Sequence, residues 1–421
     1  MRDRKVNRLL RPSFSWVARL GVVSALVGIG AGISGLAVSI ALRGIEHLAY
    51  DYSAGTFLDG ISHAPPWQRV AALAIAGVIG GAGWWALRRW GAPVVSVEQS
   101  MGGKRMPPVS TIVNAGLQVI IVGLGASIGR EVAPRELGAA IAGWLSEKAR
   151  VTSRERRILI ACGAGAGLAA VYNVPLGGAL FTIEILLAEI SFATALPALA
   201  TAAIATIVAQ IVLPSAPLYT MPQLDLTPSL FVWAVLAGPV LGIAAIGFVR
   251  VVRFAGSIRP RSWWILLVMP AVFTGVGLIA IPFPEVLGNG RALGQTAFSG
   301  LVPVALIAVL AVVKVVTTTG TIGSGAAGGT LTPSLAIGAS LGAALGGLWG
   351  LAWPGGPVAA FAFVAAAAFL ASTMRAPFTA VVLVIEFTNQ GPALLVPTML
   401  CVAGAVTVSY LMTRWRVTGI A

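Results

Sequence analysis

The length of its uncharged stretches constrains this chain most. From Val315 to Met374 there is no Asp, Glu, Lys or Arg, and shorter runs of the same kind span Leu20 to Leu42, Ile158 to Ile183, Ile190 to Leu224, Leu226 to Val249 and Phe387 to Thr413. A helix needs about 20 apolar residues to cross a bilayer, and only helices or closed barrels keep their backbone polar groups paired there. Hydrophobic residues make up 57% of the 421 positions, charged residues 10%, and the mean hydropathy is +0.91. A soluble domain carries far more charge. The expectation is an all-α polytopic membrane protein with about ten or more membrane segments, some of them short.

The charges that remain are clustered. Met1 to Arg11 holds five Lys or Arg without the small-residue cleavage site of a signal peptide; Lys148, Arg150, Arg154, Arg156 and Arg157 form a second basic group, and Arg250, Arg253, Arg259 and Arg261 a third. Basic loops beside membrane segments face the cytoplasm, so the N-terminus and all three groups are expected there. The same bias accounts for the net charge of +14 without a nucleic-acid partner. Cys162 and Cys401 lie inside apolar runs with no metal-ligand spacing around them, which points to buried thiols and to no metal or cofactor.

One ionisable pair stands apart. Gly129-Arg130-Glu131-Val132 falls between the apolar run Ile112 to Ile128 and a helix-like segment, Leu137 to Leu145. Charge at membrane depth is costly and usually marks an ion or proton path. The plainer reading makes Glu131 a first-turn carboxylate that favours its own helix.

Internal repetition separates the two halves of the chain. Ala170-Val-Tyr-Asn173-Val-Pro175 leads to Glu184, and Ser372-Thr-Met-Arg375-Ala-Pro377 leads to Glu386, nine residues after the proline in both cases. Gly129 to Pro134 with Leu137-Gly138-Ala139 matches Gly328 to Pro333 with Ile337-Gly338-Ala339. The offsets, 199 to 202, argue for related halves at about 22–214 and 230–415. Repeated halves with Gly- and Pro-broken membrane helices are a transporter signature, with ion sites at the midplane where the breaks meet. The breaks fall at Gly123 to Pro134 and Gly320 to Pro333. Pro134 and Pro333 suit the first turn of a following helix, where no N–H is needed. Such a helix start offers free N–H groups and about half a positive charge, enough to hold an anion loosely without a side-chain cation. Glycine-rich faces also serve close helix packing, which accounts for part of the 51 glycines.

These motifs resemble the CLC family of chloride channels and chloride/proton antiporters. The family's GREGP motif is similar to Gly129-Arg-Glu-Val-Ala133, its GxFxP motif to Gly329-Thr-Leu-Thr-Pro333, and the Asn173-Val-Pro175 and Arg375-Ala-Pro377 blocks fit as well. The resemblance implies a homodimer in a cell inner membrane, each subunit with its own path for chloride or another small anion. It implies two inverted-topology halves whose broken helices meet at a midplane anion site, and Glu131 as the gating glutamate. Backbone N–H groups of Thr330, Leu331 and Thr332 would face a central anion, and those of Gly129, Arg130 and Val132 an outer one.

Departures bear on mechanism. The family's GSGIP serine has no counterpart in Gly91-Ala92-Pro93-Val94-Val95-Ser96, so Ala92 aligns nearest and Ser96 is the substitute. The family's inner tyrosine falls near Thr418, with Tyr410 too early to replace it, and no C-terminal CBS domain is expected. The antiporters' inner glutamate is replaced by Ile185, which cannot relay a proton. Glu189 stands five residues past Glu184, on another helix face. A channel-like or weakly proton-coupled conductor is therefore expected, with a fluoride or chloride antiporter of the same family as the alternative. An intramembrane protease is the reading from another class: Gly32-Ile33-Ser34-Gly35 fits a serine-protease pattern, but His47 and His63 follow too closely to supply its base. No HExxH or Walker A pattern occurs, and an enzyme is not expected.

Overall fold

The computed structural model describes residues 14–222, 224 and 226–418, with side chains at 14–18 and 414–418 left out of the description. The basic N-terminus thus lies outside the described residues. Among them there are helices and connecting turns but no strand. The first half comprises α1 (Phe14–Tyr50), α2 (Phe57–His63), α3 (Pro66–Trp90), α4 (Val97–Met101), α5 (Pro108–Gly123), α6 (Val132–Lys148), α7 (Ser153–Tyr172), α8 (Pro175–Leu180) and α9 (Phe192–Gln210). The second comprises α10 (Pro228–Ser257), α11 (Ile265–Ile279), α12 (Arg291–Ser299), α13 (Val304–Gly323), α14 (Leu331–Ala352), α15 (Val358–Met374), α16 (Pro377–Thr388) and α17 (Leu395–Thr418). Seven of these, α1, α3, α9, α10, α13, α14 and α17, are long and apolar enough to cross a membrane. The chain is a multi-pass membrane protein.

Charge-free stretches and helices do not coincide. Ile158 to Ile183 is broken at Asn173, which takes a left-handed conformation (φ 57°) and ends α7. Arg375 (φ 56°) ends α15 in the same way. A proline two residues after each break opens the next helix, α8 or α16, because its fixed φ suits a first turn and its missing N–H is not needed there. The segment expected at Leu137 to Leu145 is longer at both ends, as α6. Pro134 and Pro333 do fall in the first turns of α6 and α14. Lys314, which bounded the longest uncharged stretch, is fully buried in the middle of α13.

The two most enclosed helices are α7 and α15, buried continuously over Ile158–Tyr172 and Ala359–Ser372. Their residues are largely Gly and Ala, so neighbours approach to backbone contact. A methyl group added at Gly163 would meet the carbonyl of Gly138, and one at Gly167 that of Pro134. The packing role of glycine is thus real along the α6–α7 seam, and it fixes α6, whose N-cap is Glu131, against the core.

The breaks are also stitched across the halves. Glu386 on α16 accepts the N–H groups of Leu176 (3.0 Å) and Gly177 (2.7 Å) at the start of α8. Glu184, in the π-helical continuation of α8 (Phe181–Leu187), accepts those of Phe378 (3.2 Å) and Thr379 (2.6 Å) and the Thr379 hydroxyl (2.6 Å) at the start of α16. Helix-start N–H groups have no partner in their own helix, and a carboxylate bond to one is worth about 1.5–3 kcal/mol. Glu184→Ala is expected to lower stability by about 3 kcal/mol while leaving the pH dependence of ion flux unchanged. Thermal unfolding in detergent and flux against pH check this, and a changed pH profile would make Glu184 a proton carrier instead.

Candidate anion site

The two Gly-rich breaks meet face to face. Gly129 donates its N–H to the Gly329 carbonyl at 2.8 Å, and Gly329 returns the bond at 3.0 Å, forming one antiparallel bridge between loops 200 residues apart. Each loop turns through a positive-φ glycine, Gly125 (100°) and Gly325 (103°), a conformation that side chains resist. The bridge sets the start of α6 beside the start of α14.

Glu131 is the N-cap residue of α6, and its side chain makes no capping bond to that helix. The carboxylate is 1% exposed and crosses to the other half, where Oε1 accepts the Leu331 N–H at 2.6 Å. The hydroxyls of Thr332 (3.4 Å) and Tyr172 (3.5 Å) lie at the outer limit of hydrogen bonding to Oε2. This corrects the plainer reading of Glu131 as a cap for its own helix. It also differs from the expected division of sites, since the Leu331 N–H, expected to face a central anion, is the one that holds Glu131. The reason is reach: the glycine bridge brings the α14 start within a single side chain of position 131.

The carboxylate oxygens are held at the start of α14. The cradle contains a helix N-terminus, about half a positive charge, and two neutral hydroxyls. Arg130 places its guanidinium 5.0 Å from the centre of the Tyr172 ring, stacked over it. Arg43, Arg130 and Arg291 line one cavity of about 130 Å³ that also includes Tyr172 and Asn173. Tyr172 therefore joins an arginine-lined vestibule on one side to Glu131 on the other.

Behind the loops, the Lys314 ammonium donates to Ser127 Oγ (2.9 Å) and to the carbonyls of Val286 and Gly288 (2.8 Å each). Ser127 Oγ is also within bonding distance of the Thr317 and Thr318 hydroxyls, and Gly288 donates its N–H to the Gly125 carbonyl at 2.8 Å. The lysine ties three segments together behind the loop that leads to Glu131. All three of its donors are used, which is what a buried ammonium requires.

Other sequence candidates are placed as follows. Thr330 is the N-cap of α14, with Leu331 and Thr332 in its first turn. Ser96 is the N-cap of α4, and its oxygen accepts the Gln99 N–H at 3.3 Å, leaving only its proton to offer an anion. Ala92 is solvent-exposed in the turn before α4. Thr418 ends α17, and its side chain lies outside the described residues. Ile185 is half-buried in the π-helical turn. Glu189 lies beyond that turn and pairs with Arg154 at 3.1 Å on the surface, away from any relay. Tyr172, Lys314, Arg43 and Arg291 escaped the sequence reading because their roles depend on contacts with distant segments. The position of Tyr172 beside the repeated Asn-Val-Pro block was the one signal available for it.

A profile of the voltage gated chloride channel family matches residues 70–410. The chain belongs to the CLC family. It is 29% identical over 384 residues to the voltage-gated ClC-type chloride channel ClcB of Citrobacter koseri, covering 88% of this chain and 91% of that protein. It is 30% identical over 405 residues to a putative chloride channel protein, ClcB-like, of Ralstonia nicotianae, covering 91% and 92%. The fold matches that of a slow cyanobacterial Cl−/H+ antiporter with a TM-score of 0.81 at 22% identity, over 96% of this chain and 95% of that one. It also matches a CLC-type fluoride/proton antiporter with a TM-score of 0.74 at 23% identity, over 95% and 96%. CLC membership places the chain among ion channels and transporters rather than enzymes.

Proposed function

We propose that this CLC protein conducts chloride across the cell inner membrane through a path closed by Glu131. The bond from Leu331 N–H to the Glu131 carboxylate at 2.6 Å carries the reading. A carboxylate held by a helix start is a tethered anion, and a free halide competes for the same place. Protonation cancels the charge that holds it there. The anion then meets the N–H groups of Thr330, Leu331 and Thr332 on one side and those of Arg130 and Val132 on the other; the Gly129 N–H, expected to join them, is instead taken by the Gly329 carbonyl in the bridge. The Tyr172 and Thr332 hydroxyls complete the cradle. Ser96 and Ala92 lie on the inner side of this central site. No side-chain cation touches the anion, so it can leave again.

The conduction is channel-like. Isoleucine at position 185 supplies no inner carboxyl, and Glu189 is engaged with Arg154. The chain forms one transmembrane domain of two halves, 22–214 and 230–415. Two copies associate through the outer faces of α8, α9, α16 and α17, where Leu176, Phe192, Phe378 and Met399 are exposed. The N-terminus and the basic loops face the cytoplasm. Supporting this, Arg19 approaches Glu155 (4.0 Å), Arg105 pairs with Glu147 (3.2 Å), and Arg88 donates to the Pro260 carbonyl (3.0 Å), gathering the basic segments at one end.

Anion efflux from liposomes tests the function, with chloride and fluoride compared and external pH recorded without an added proton carrier. The expected result is chloride efflux with no counter-movement of protons. Protons moving against chloride would make the protein an antiporter with another inner acid, and a strong preference for fluoride would replace chloride as the substrate.

A further inference from the structure

Away from the ion path, a groove of about 300 Å³ runs along the outside of α6. Its walls include Ile112 of α5 and Ile141 and Trp144 of α6, and it reaches from Leu137 to Glu147. Ten residues of helix span about 15 Å, comparable with most of a phospholipid acyl chain. The wall side chains are presented outward, with Ile112 61% and Trp144 55% exposed. The lining is apolar along this length and changes abruptly at one end.

At that end, Arg105 and Arg156 share one carboxylate. Arg105 lies 3.2 Å and Arg156 3.9 Å from Glu147, so two guanidinium groups face one negative charge. Arg156 is fixed further by donating to the Ser100 carbonyl at 3.1 Å. Arg105 is 76% exposed and free to turn toward a ligand. Guanidinium groups match phosphate in a bidentate manner, and a tryptophan at the same level is typical of the membrane–water boundary.

We propose that this groove is a seat for an anionic phospholipid of the cytoplasmic leaflet, its acyl chain lying along α6 and its phosphate held by Arg105 and Arg156. The charge excess at one end of an otherwise apolar, outward-facing groove selects that occupant over phosphatidylcholine, whose quaternary ammonium would be repelled by the two guanidinium groups. Leu137 is six residues from Glu131 on the same helix, about 9 Å along its axis, so an occupied groove braces the helix whose start forms the gate. The proposal does not depend on which anion is carried.

The test is lipid retention by the full-length protein in detergent. After exchange into equal amounts of phosphatidylglycerol and phosphatidylcholine with identical chains, bound lipid is quantified by mass spectrometry. The expected result is a phosphatidylglycerol excess of about tenfold, the equivalent of 1.4 kcal/mol. Ala140→Phe, which fills the groove and keeps both arginines, should abolish the excess. Arg105→Glu, at an exposed side chain, should do so without disturbing packing. Elution as a single folded species qualifies each variant. Equal retention of the two lipids, or an undiminished excess in both variants, would mean annular lipid only and overturn the proposal. Displacement of the bound lipid by soluble glycerol phosphate at equal concentration would show a headgroup site that needs no chain, and would overturn it too.

Discussion

Glu131→Gln is expected to conduct chloride at every pH, without the rise in flux in acid that the proposed gate implies for the native protein. The native carboxylate occupies the α14 start as an anion, bonded to Leu331 N–H at 2.6 Å. Acid neutralises it, the attraction to the helix end is lost, and the site opens to chloride. Flux therefore rises as pH falls. A glutamine has no charge to lose, so its flux lies at the level that native protein reaches only in acid. Glu131→Ala should behave alike, because it removes the tethered anion entirely. A change from a bond to a charged partner to none is worth about 1.5–3 kcal/mol, or roughly tenfold to a hundredfold in the occupancy of the site by chloride. Liposome efflux between acid and neutral pH measures this. A pH profile unchanged in both variants would remove Glu131 from the gate.

Gly329→Ala is expected to suppress flux by about tenfold or more, and Glu131→Ala should not rescue it. A methyl group at position 329 would collide with Glu131 Oε1, the atom at the proposed anion position. Its backbone is not in the positive-φ region, so alanine is not excluded by strain and the variant should fold. Were the methyl group only to push the carboxylate aside, the gate would stand open and flux would rise. Because it fills the cradle itself, emptying position 131 does not restore room for an ion. Efflux from the single and double variants separates the two outcomes. Higher flux in Gly329→Ala than in native protein would show that the anion sits elsewhere.

Local signals carried much of the site. The Gly-Arg-Glu break, the prolines in the first turns of α6 and α14, and the paired Pro-to-Glu spacings were all legible, because helix starts and stops depend on a few neighbouring residues. Helix extents were read less well. Absence of charge does not mark helix ends: an uncharged stretch runs through the break at Asn173, and α13 continues through Lys314. A buried ammonium is acceptable when three acceptors converge on it, and two of these come from the segment 286–288, which no periodicity connects to position 314.

By itself the sequence determined that the chain lives in a membrane, that its helices are broken at matched places in two halves, and that an ionisable residue stands at one break. Those properties follow from hydropathy and from backbone constraints of Gly and Pro, which act over a few residues. Only the tertiary structure decided where the Glu131 carboxylate goes. It bypasses its own helix for Leu331, 200 residues away, because the Gly129–Gly329 bridge closes the distance between two loops. The same convergence brings Tyr172 and three arginines to the approach. Side-chain partners across a fold depend on the packing of whole helices, which no local pattern encodes.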